Sequence, residues 1–86
     1  MRYRVELKPK AIKDLRRLPK REATRMANAI TRLADNLNGD VKKLTNYSLR
    51  YRLRVGSYRI LFKIENSDCV TIYRILHRQQ AYRQIH

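Results

Sequence analysis

The stretch of sequence that decides the fold is LRYRLRVGSYR, which runs from Leu49 to Arg59. Arginine alternates with apolar residues along it, as side chains alternate between the two faces of a β-strand. Gly56 and Ser57 then interrupt the alternation, and glycine suits the positive φ that a two-residue hairpin turn requires. The stretch therefore predicts a β-hairpin with one apolar face and one arginine-rich face.

The turn also fixes the register of the hairpin, because each residue before it must pair with one after it. The predicted pairs are Val55 with Tyr58, Arg54 with Arg59, Arg52 with Leu61, and Arg50 with Lys63. A slip of one residue would mix the apolar and cationic sets, so the register is strongly specified. Arg54 directly opposite Arg59 is a destabilising like-charge pair. Sequences tend to keep locally unfavourable choices at functional sites, so this pair marks a candidate site.

The charge of the whole chain supports this interpretation. Its 86 residues include 21 Lys and Arg but only seven Asp and Glu, which gives a net charge of +14. None of the acidic residues lies between Val41 and Ile64, so the cations of the hairpin have no acidic neighbours in sequence. Charge so far from zero opposes compaction and favours an anionic partner: nucleic acid first, then an acidic protein, then an anionic membrane.

Other features of the composition narrow the class of protein. The length favours a single domain, residues 1–86. No apolar run is long enough for a transmembrane helix, and the N-terminal MRYRVELKPK has no apolar signal-peptide region. The single cysteine, Cys69, cannot form an intrachain disulfide, and two scattered histidines argue against a metal cluster. We therefore expect a cytoplasmic protein without a metal or other cofactor.

Hydrophobic periodicity predicts an α+β fold. An N-terminal strand over Arg2–Leu7 precedes two helices, which Pro19 separates and which end at Asn38-Gly39. An antiparallel meander of three strands follows over Leu49–Val55, Tyr58–Glu65 and Cys69–His77, and the tail over 79–85 is expected to form one or two helical turns. The helices should cover the apolar face of the sheet, which leaves the basic face on the opposite side.

The register of the third strand depends on a second turn, at Asn66–Asp68. A tight turn predicts two pairs, Ile64 with Cys69 and Arg59 with Arg74. It places three even-numbered residues on the basic face, Val70, Ile72 and Arg74. The same register brings Arg78 just beyond the first hairpin turn, beside Arg54.

Four segments carry a resemblance to a known family. They are AIKDLRRL at 11–18, KKL at 42–44, YRLRVGSYRILFKI at 51–64 and HRQQAYR at 77–83. Over nearly the whole chain they resemble the RelE/ParE toxin superfamily of bacterial type II toxin–antitoxin systems. The HR pair followed by a tyrosine resembles the RelE-like branch more than the ParE-like branch. The resemblance implies a RelE-like, microbial-RNase-like fold and a ribosome-dependent endoribonuclease that cleaves mRNA in the A site, whereas ParE-like toxins inhibit gyrase without nuclease activity.

The resemblance also implies partners and site residues. The partners would be the ribosome with its A-site mRNA and a cognate acidic, RelB-like antitoxin. The toxin–antitoxin complex would be oligomeric and would bind DNA through the antitoxin. The residues that match the catalytic positions of the family are Arg52, Arg54, Arg59, Arg78 and Tyr82.

Metal-independent RNA cleavage fits these residue types. The ribose 2′-OH acts as an internal nucleophile, so the reaction needs a base for that hydroxyl, cations for the phosphorane, and an acid for the 5′-oxygen. Guanidinium groups match phosphate oxygens and suit the phosphorane. Tyr82 is a candidate for the base, for stacking on a nucleobase, or for packing the tail on the sheet. Further candidates for RNA binding are Lys42, Lys43, Arg50, Lys63, Arg74 and His77.

Some of these candidates have a plainer interpretation. Lys42 and Lys43 either follow the RNA backbone or lie in a solvated turn, and His77 either carries a proton or packs inward. Two other function classes also stay open: a gyrase-directed toxin that catalyses nothing, and a plain basic RNA-binding module that cuts nothing. The sequence thus leaves open whether the basic face only binds RNA or also cleaves it.

Overall fold

The computed structural model describes residues 1–44 and 50–85. The strands are β1 (Arg4–Leu7), β2 (Asp40–Lys43), β3 (Arg50–Val55), β4 (Tyr58–Glu65) and β5 (Cys69–His77), and the helices are α1 (Pro9–Arg17), α2 (Lys20–Ala34) and α3 (Arg78–Ile85). Leu49, the predicted first residue of the hairpin, lies outside the described residues. No helix in the described part of the chain is long and apolar enough to cross a membrane.

The strands form one mixed sheet in the order β1-β5-β4-β3-β2. β1 runs parallel to β5, and the other neighbouring strands are antiparallel. The predicted α+β fold and its meander, β3-β4-β5, are therefore confirmed. The sequence does not predict β2, because the adjacent cations Lys42 and Lys43 break the alternation that marks a strand. Such lysines are well tolerated on an edge strand, where they discourage pairing with other chains.

The first two helices cover the apolar face of the sheet, as their sequence predicts. Pro9 occupies the first turn of α1, where its missing N–H costs nothing, and Pro19 precedes the first residue of α2. The core between helices and sheet contains Ala11, Met26, Ala29, Leu33, Leu53, Val55, Ile60, Phe62, Val70, Ile72 and Ile75. The opposite face of the sheet is therefore left free for the cations.

The predicted register between β4 and β5 is wrong. Asn66 and Ser67 adopt left-handed φ values of 54° and 65°, which tightens the loop by one residue. The true pairs are Glu65 with Cys69, Ile64 with Val70, and, beyond a bulge between Leu61 and Phe62, Arg59 with Leu76. Val70 and Ile72 are consequently buried in the core, not exposed on the basic face. The bulge leaves Tyr73 as an extra residue on β5.

Asp14 of α1 fastens the helix to this bulge. Its carboxylate accepts hydrogen bonds from Arg74 Nε at 2.8 Å and from Arg74 Nη2 at 3.2 Å. The backbone N–H of Ile75 donates to the same carboxylate at 2.9 Å. The hydrogen bond that Arg74 donates to Asp14 raises the pKa of Arg74, although partial burial lowers it. The prediction that Arg74 shares the basic face is therefore wrong, because its side chain reaches α1 instead.

The contacts of Asp14 predict a large effect of its removal on stability. The Asp14→Ala substitution leaves the guanidinium of Arg74 and the N–H of Ile75 without these bonds, and should lower the free energy of unfolding by about 2–3 kcal/mol. Urea denaturation measures this loss. Glu6→Ala is the matched control, because the ion pair that Glu6 forms among the described residues is an exposed one of 4.0 Å with Arg4. Its cost should be within about 0.5 kcal/mol. Equal losses in the two variants would contradict the assignment of Asp14 as an anchor.

Candidate functional site: arginines at the turn between β3 and β4

The hairpin of β3 and β4 has the predicted register. Val55 pairs with Tyr58, Arg54 with Arg59, Arg52 with Leu61, and Arg50 with Lys63. Leu53 and Ile60 point into the core, so the arginines of β3 lie on the other side of the sheet. We call this side, away from α1 and α2, the basic face. The like-charge pair of Arg54 and Arg59 is therefore real, and it lies next to the turn.

Arg59 is held by the backbone of that turn. Its Nη1 donates to the carbonyl oxygen of Gly56 at 3.0 Å and to that of Tyr58 at 2.9 Å. Partial burial lowers the pKa of Arg59, and the nearby charges of Arg52, Arg54 and Arg78 lower it further. Arg59 therefore lies close enough to three other arginines to be repelled by each of them. We call Arg52, Arg54, Arg59 and Arg78 the arginine cluster.

Arg78 joins the cluster because α3 begins beside the turn. The N–H of Arg78 donates to the carbonyl oxygen of Ser57 at 2.7 Å, which agrees with the predicted position just beyond the turn. Ala81 of α3 is buried against Leu61 and Leu76 on the basic face. The tail therefore covers the apolar part of the basic face that Leu61 and Leu76 form.

Tyr82 lies one helical turn after Arg78 and on the same flank of α3, because residues four apart on a helix are neighbours. Its side chain is largely exposed, at 65%. Ala81, not Tyr82, supplies the buried contact of the tail. The role of Tyr82, in base removal, in stacking on a nucleobase or in packing of the tail, therefore stays a prediction.

Asp40 is the residue that the sequence did not reveal. It is the first residue of β2 and pairs directly with Arg54. Its carboxylate lies 3.4 Å from Arg54 Nε and 3.8 Å from Arg52 Nη1, and Arg52 also donates to its carbonyl oxygen at 3.3 Å. The absence of acidic residues from 42 to 63 in sequence therefore does not make the basic face free of carboxylates. Only the assignment of β2 as a strand would have revealed this.

The two lysines of β2 lie on opposite sides of the sheet. Lys42 pairs with Arg52 and lies on the basic face, whereas Lys43 pairs with Tyr51, whose ring packs on Phe62 in the core. Both belong to a strand, so the alternative of a solvated turn is wrong. The prediction that the two lysines act together is not supported by their placement, because adjacent strand residues point in opposite directions.

The remaining candidates for RNA binding lie on different sides of the sheet, His77 on the side of the helices and Arg50 and Lys63 on the basic face. His77 pairs with Tyr58 and packs edge-on against its ring at a centroid distance of 5.7 Å, so it lies on the side of the helices. Its Nδ1 accepts a bond of 3.5 Å from the N–H of Gln79. On the basic face, the guanidinium of Arg50 lies 4.8 Å from the ring centroid of Tyr73, and Lys63 lies 3.7 Å from Glu65. The inward-packing alternative for His77 is thus the one that its geometry supports.

Comparison with known proteins identifies a matching family and relatives of this chain. The family model described as "ParE toxin of type II toxin-antitoxin system, parDE" matches residues 5–82. The protein named Toxin RelE3 from Methanocaldococcus jannaschii is 34% identical over 76 residues, which covers 83% of this chain and 85% of the relative.

Two solved toxin–antitoxin complexes contain a chain of the same fold. In the RelB–RelE complex from Methanococcus jannaschii, the similar chain is 29% identical with a TM-score of 0.76, and the match covers 92% of this chain and 96% of the other. In the RelBE2 complex from Mycobacterium tuberculosis, the identity is 27% with a TM-score of 0.75, and the coverages are 91% and 100%. The similarity therefore extends over almost all of the chain.

The mutual repulsion within the arginine cluster predicts that anions stabilise the fold. Inorganic phosphate at ten times its Kd should add about 1.4 kcal/mol, or roughly 6 °C in Tm, relative to chloride at equal ionic strength. Differential scanning fluorimetry measures this shift. Arg59→Gln should abolish most of it, whereas Arg4→Gln should keep it, because Arg4 is an exposed arginine of β1 with its own partners, Glu6 and Asp68. The same shift in both variants would argue against an anion site at the turn.

Proposed function

The chain belongs to the RelE/ParE superfamily of toxins of type II toxin–antitoxin systems, and from this premise we propose that it is a ribosome-dependent endoribonuclease. In this proposal it enters the ribosomal A site and cleaves mRNA there, which stops translation. The observation that carries the proposal is the arginine cluster, in which Arg59 is fixed by two carbonyl oxygens next to three other guanidiniums. Such an arrangement favours the binding of a phosphate anion at the turn.

The reaction proposed is an attack of a ribose 2′-OH on the adjacent phosphorus atom. The bond between phosphorus and the 5′-oxygen breaks, and the products are a 2′,3′-cyclic phosphate and a 5′-hydroxyl end. Negative charge accumulates on the phosphorane oxygens, and Arg59 and Arg78 would stabilise it together with Arg52 and Arg54. Prearranged charges of this kind are usually the largest contribution to catalysis, because they need no reorganisation during the reaction.

Other side chains would bind the RNA around this centre. Lys42, Arg50 and Lys63 extend the basic face along β2, β3 and β4 and would contact phosphates of the backbone. Tyr82 offers an exposed ring on which an unstacked nucleobase can stack, a common device in RNA recognition. We leave Lys43, Arg74 and His77 out of the proposed RNA site, because their partners lie on the side of the helices or on α1.

We further propose an acidic, RelB-like antitoxin as the partner that neutralises the toxin. The similar chains from Methanococcus jannaschii and Mycobacterium tuberculosis were solved in complexes with antitoxins. A net charge of +14 favours a partner segment rich in Asp and Glu. Such a segment would cover the same guanidiniums that meet the RNA. An oligomeric complex that binds DNA through the antitoxin, in the cytoplasm, completes this proposal.

A second candidate function is inhibition of gyrase without catalysis. It is favoured by one specific observation, the match of residues 5–82 to a family model described as a ParE toxin. The two functions predict different products: cut mRNA in one case, and unsupercoiled DNA with intact mRNA in the other. A supercoiling assay with purified gyrase, run beside mapping of mRNA 5′ ends, therefore separates them.

The nuclease proposal predicts a severe effect of replacing Arg59. Arg59→Ala should reduce mRNA cleavage on programmed ribosomes by about 10²-fold or more, the usual cost of losing one donor to a developing oxyanion. Mapping of mRNA 5′ ends after induction measures the same loss in cells, and Arg78→Ala should behave alike. Arg4→Ala is the matched control and should cut normally. Full cleavage by Arg59→Ala would reject the assigned site, and gyrase inhibition with intact mRNA would reject the nuclease itself.

The two lysines of β2 provide a test of which face meets the RNA. Lys42→Ala should weaken ribosome binding and reduce the slope of log K against log salt by about 0.7, the contribution of one phosphate contact on a single strand. Lys43→Ala removes the same charge from the neighbouring position on the opposite side of the sheet. Its affinity and salt slope should stay at the wild-type values. If both variants lose equally, the net charge rather than the basic face governs docking.

A further inference from the structure

The carboxylate of Asp40 stands within the arginine cluster, where the proposed reaction lacks a base. We infer that Asp40 is the general base that removes the proton from the attacking 2′-OH, an inference that rests on the nuclease function proposed above. Within the described residues, Asp40 is the carboxylate that forms ion pairs with members of the cluster, Arg52 and Arg54. Glu65, which pairs with Lys63, lies at the far end of β4 from the turn.

The geometry holds this carboxylate in place and leaves it accessible. One oxygen faces Arg54 Nε at 3.4 Å and the other faces Arg52 Nη1 at 3.8 Å. The side chain is nevertheless 57% exposed, so a ribose hydroxyl can reach it. Asp40 also influences the electrostatics of Arg59, whose pKa it raises against the effects of burial and of the other arginines. Asp40 thus interacts electrostatically with Arg52, Arg54 and Arg59, the residues proposed to bind the phosphate.

The charged groups around Asp40 come from every neighbouring element. They are Lys42 on its own strand, Arg52 and Arg54 on β3, and Arg59 on β4. Asp40 and Arg54 also line an open cleft beside α2, and Arg25 and Arg32 of that helix line it too. All of them are cations, and the carboxylate of Asp40 lies among them. They also draw a phosphodiester toward the same place. A phosphate bound between Arg54 and Arg59 therefore brings its neighbouring ribose to the edge of the cluster where Asp40 lies.

The proposed step balances in atoms and charge. The carboxylate of Asp40 takes the proton of the 2′-OH as the 2′-oxygen forms its bond to phosphorus. The bond between phosphorus and the 5′-oxygen breaks, and the departing oxygen takes a proton from water. Asp40 then returns its proton to the solvent, so the protein ends the cycle unchanged.

A simpler role for Asp40 would be to act only as a counter-ion that relieves repulsion within the arginine cluster. The two roles predict opposite outcomes for Asp40→Asn. The amide keeps an oxygen acceptor beside Arg54 Nε, so the arginines should keep their positions, but it cannot take a proton. Loss of a negative charge should also tighten binding to RNA. A slower reaction combined with equal or tighter binding would therefore identify a base, because lost docking would not explain it.

The experiment is single-turnover cleavage of mRNA on programmed ribosomes at saturating toxin, with ribosome affinity measured in parallel. Asp40→Asn should slow cleavage by about 10²- to 10⁴-fold, the usual contribution of a general base, with unchanged or stronger affinity. Asp40→Glu should restore a large part of the rate. Asp68→Asn is the matched control, because the ion pair that Asp68 forms in the described part of the chain joins it to Arg4 at 3.8 Å and not to the arginine cluster.

The outcomes separate the possible failures. Cleavage by Asp40→Asn at the wild-type rate would overturn the assignment of the base while leaving the nuclease function intact. If the wild-type protein cuts no mRNA, the nuclease function itself fails. If Asp40→Asn melts at a lower temperature than the wild type, the test uses Asp40→Ala with added formate, whose carboxylate can replace the missing base. Cleavage that increases with formate concentration supports a missing base, and a loss that formate does not restore overturns it.

Discussion

The constraint on which the rest of this structure depends is the placement of Arg54 directly opposite Arg59. The alternation of the hairpin leaves no other register, because a slip would bury arginines and expose the apolar residues that form the core. Folding of the sheet therefore forces two guanidiniums together next to the turn. The start of α3 adds Arg78 beside them. The concentration of positive charge follows directly from the core packing on the other side of the same strands.

Three features keep this arrangement folded. The carbonyl oxygens of the turn accept bonds from Arg59, and Asp40 sits between Arg52 and Arg54. On the opposite side, Asp14 secures the bulge of β5 to α1. The bulge matters to the site, because it sets where β5 ends and hence where α3 and Arg78 begin. Stability of the helix layer and geometry of the arginine cluster are thus connected through one irregular strand.

The sequence predicts the parts of this fold that depend on local alternation, and misses those that depend on contacts between distant residues. The register of β3 and β4 follows from a pattern of period two with a clear turn, so it could be derived residue by residue. β2 has only four residues with two adjacent lysines, and its pairing to β3 is a tertiary contact. Beside the bulge at Tyr73, Arg74 is bonded to a carboxylate 60 positions away, that of Asp14. The one-residue tightening of the loop at Asn66 and Ser67 explains why the sequence places Arg74 on the basic face, and the omission of β2 explains why it does not reveal Asp40.

The repulsion within the arginine cluster also connects the proposed RNA cleavage with its proposed inhibition by an antitoxin. Any anion that binds at the turn removes repulsion that folding imposes, so it stabilises the protein by an amount set by its own affinity. RNA phosphates and the carboxylates of an acidic antitoxin would relieve the same repulsion at the same residues. Under the proposed function, the two partners would therefore compete for one source of binding energy, and a single bound antitoxin segment could neutralise the toxin without altering its fold. A surface that is costly to the free protein is, for this reason, suited to a protein that must be held inactive until its partner is lost.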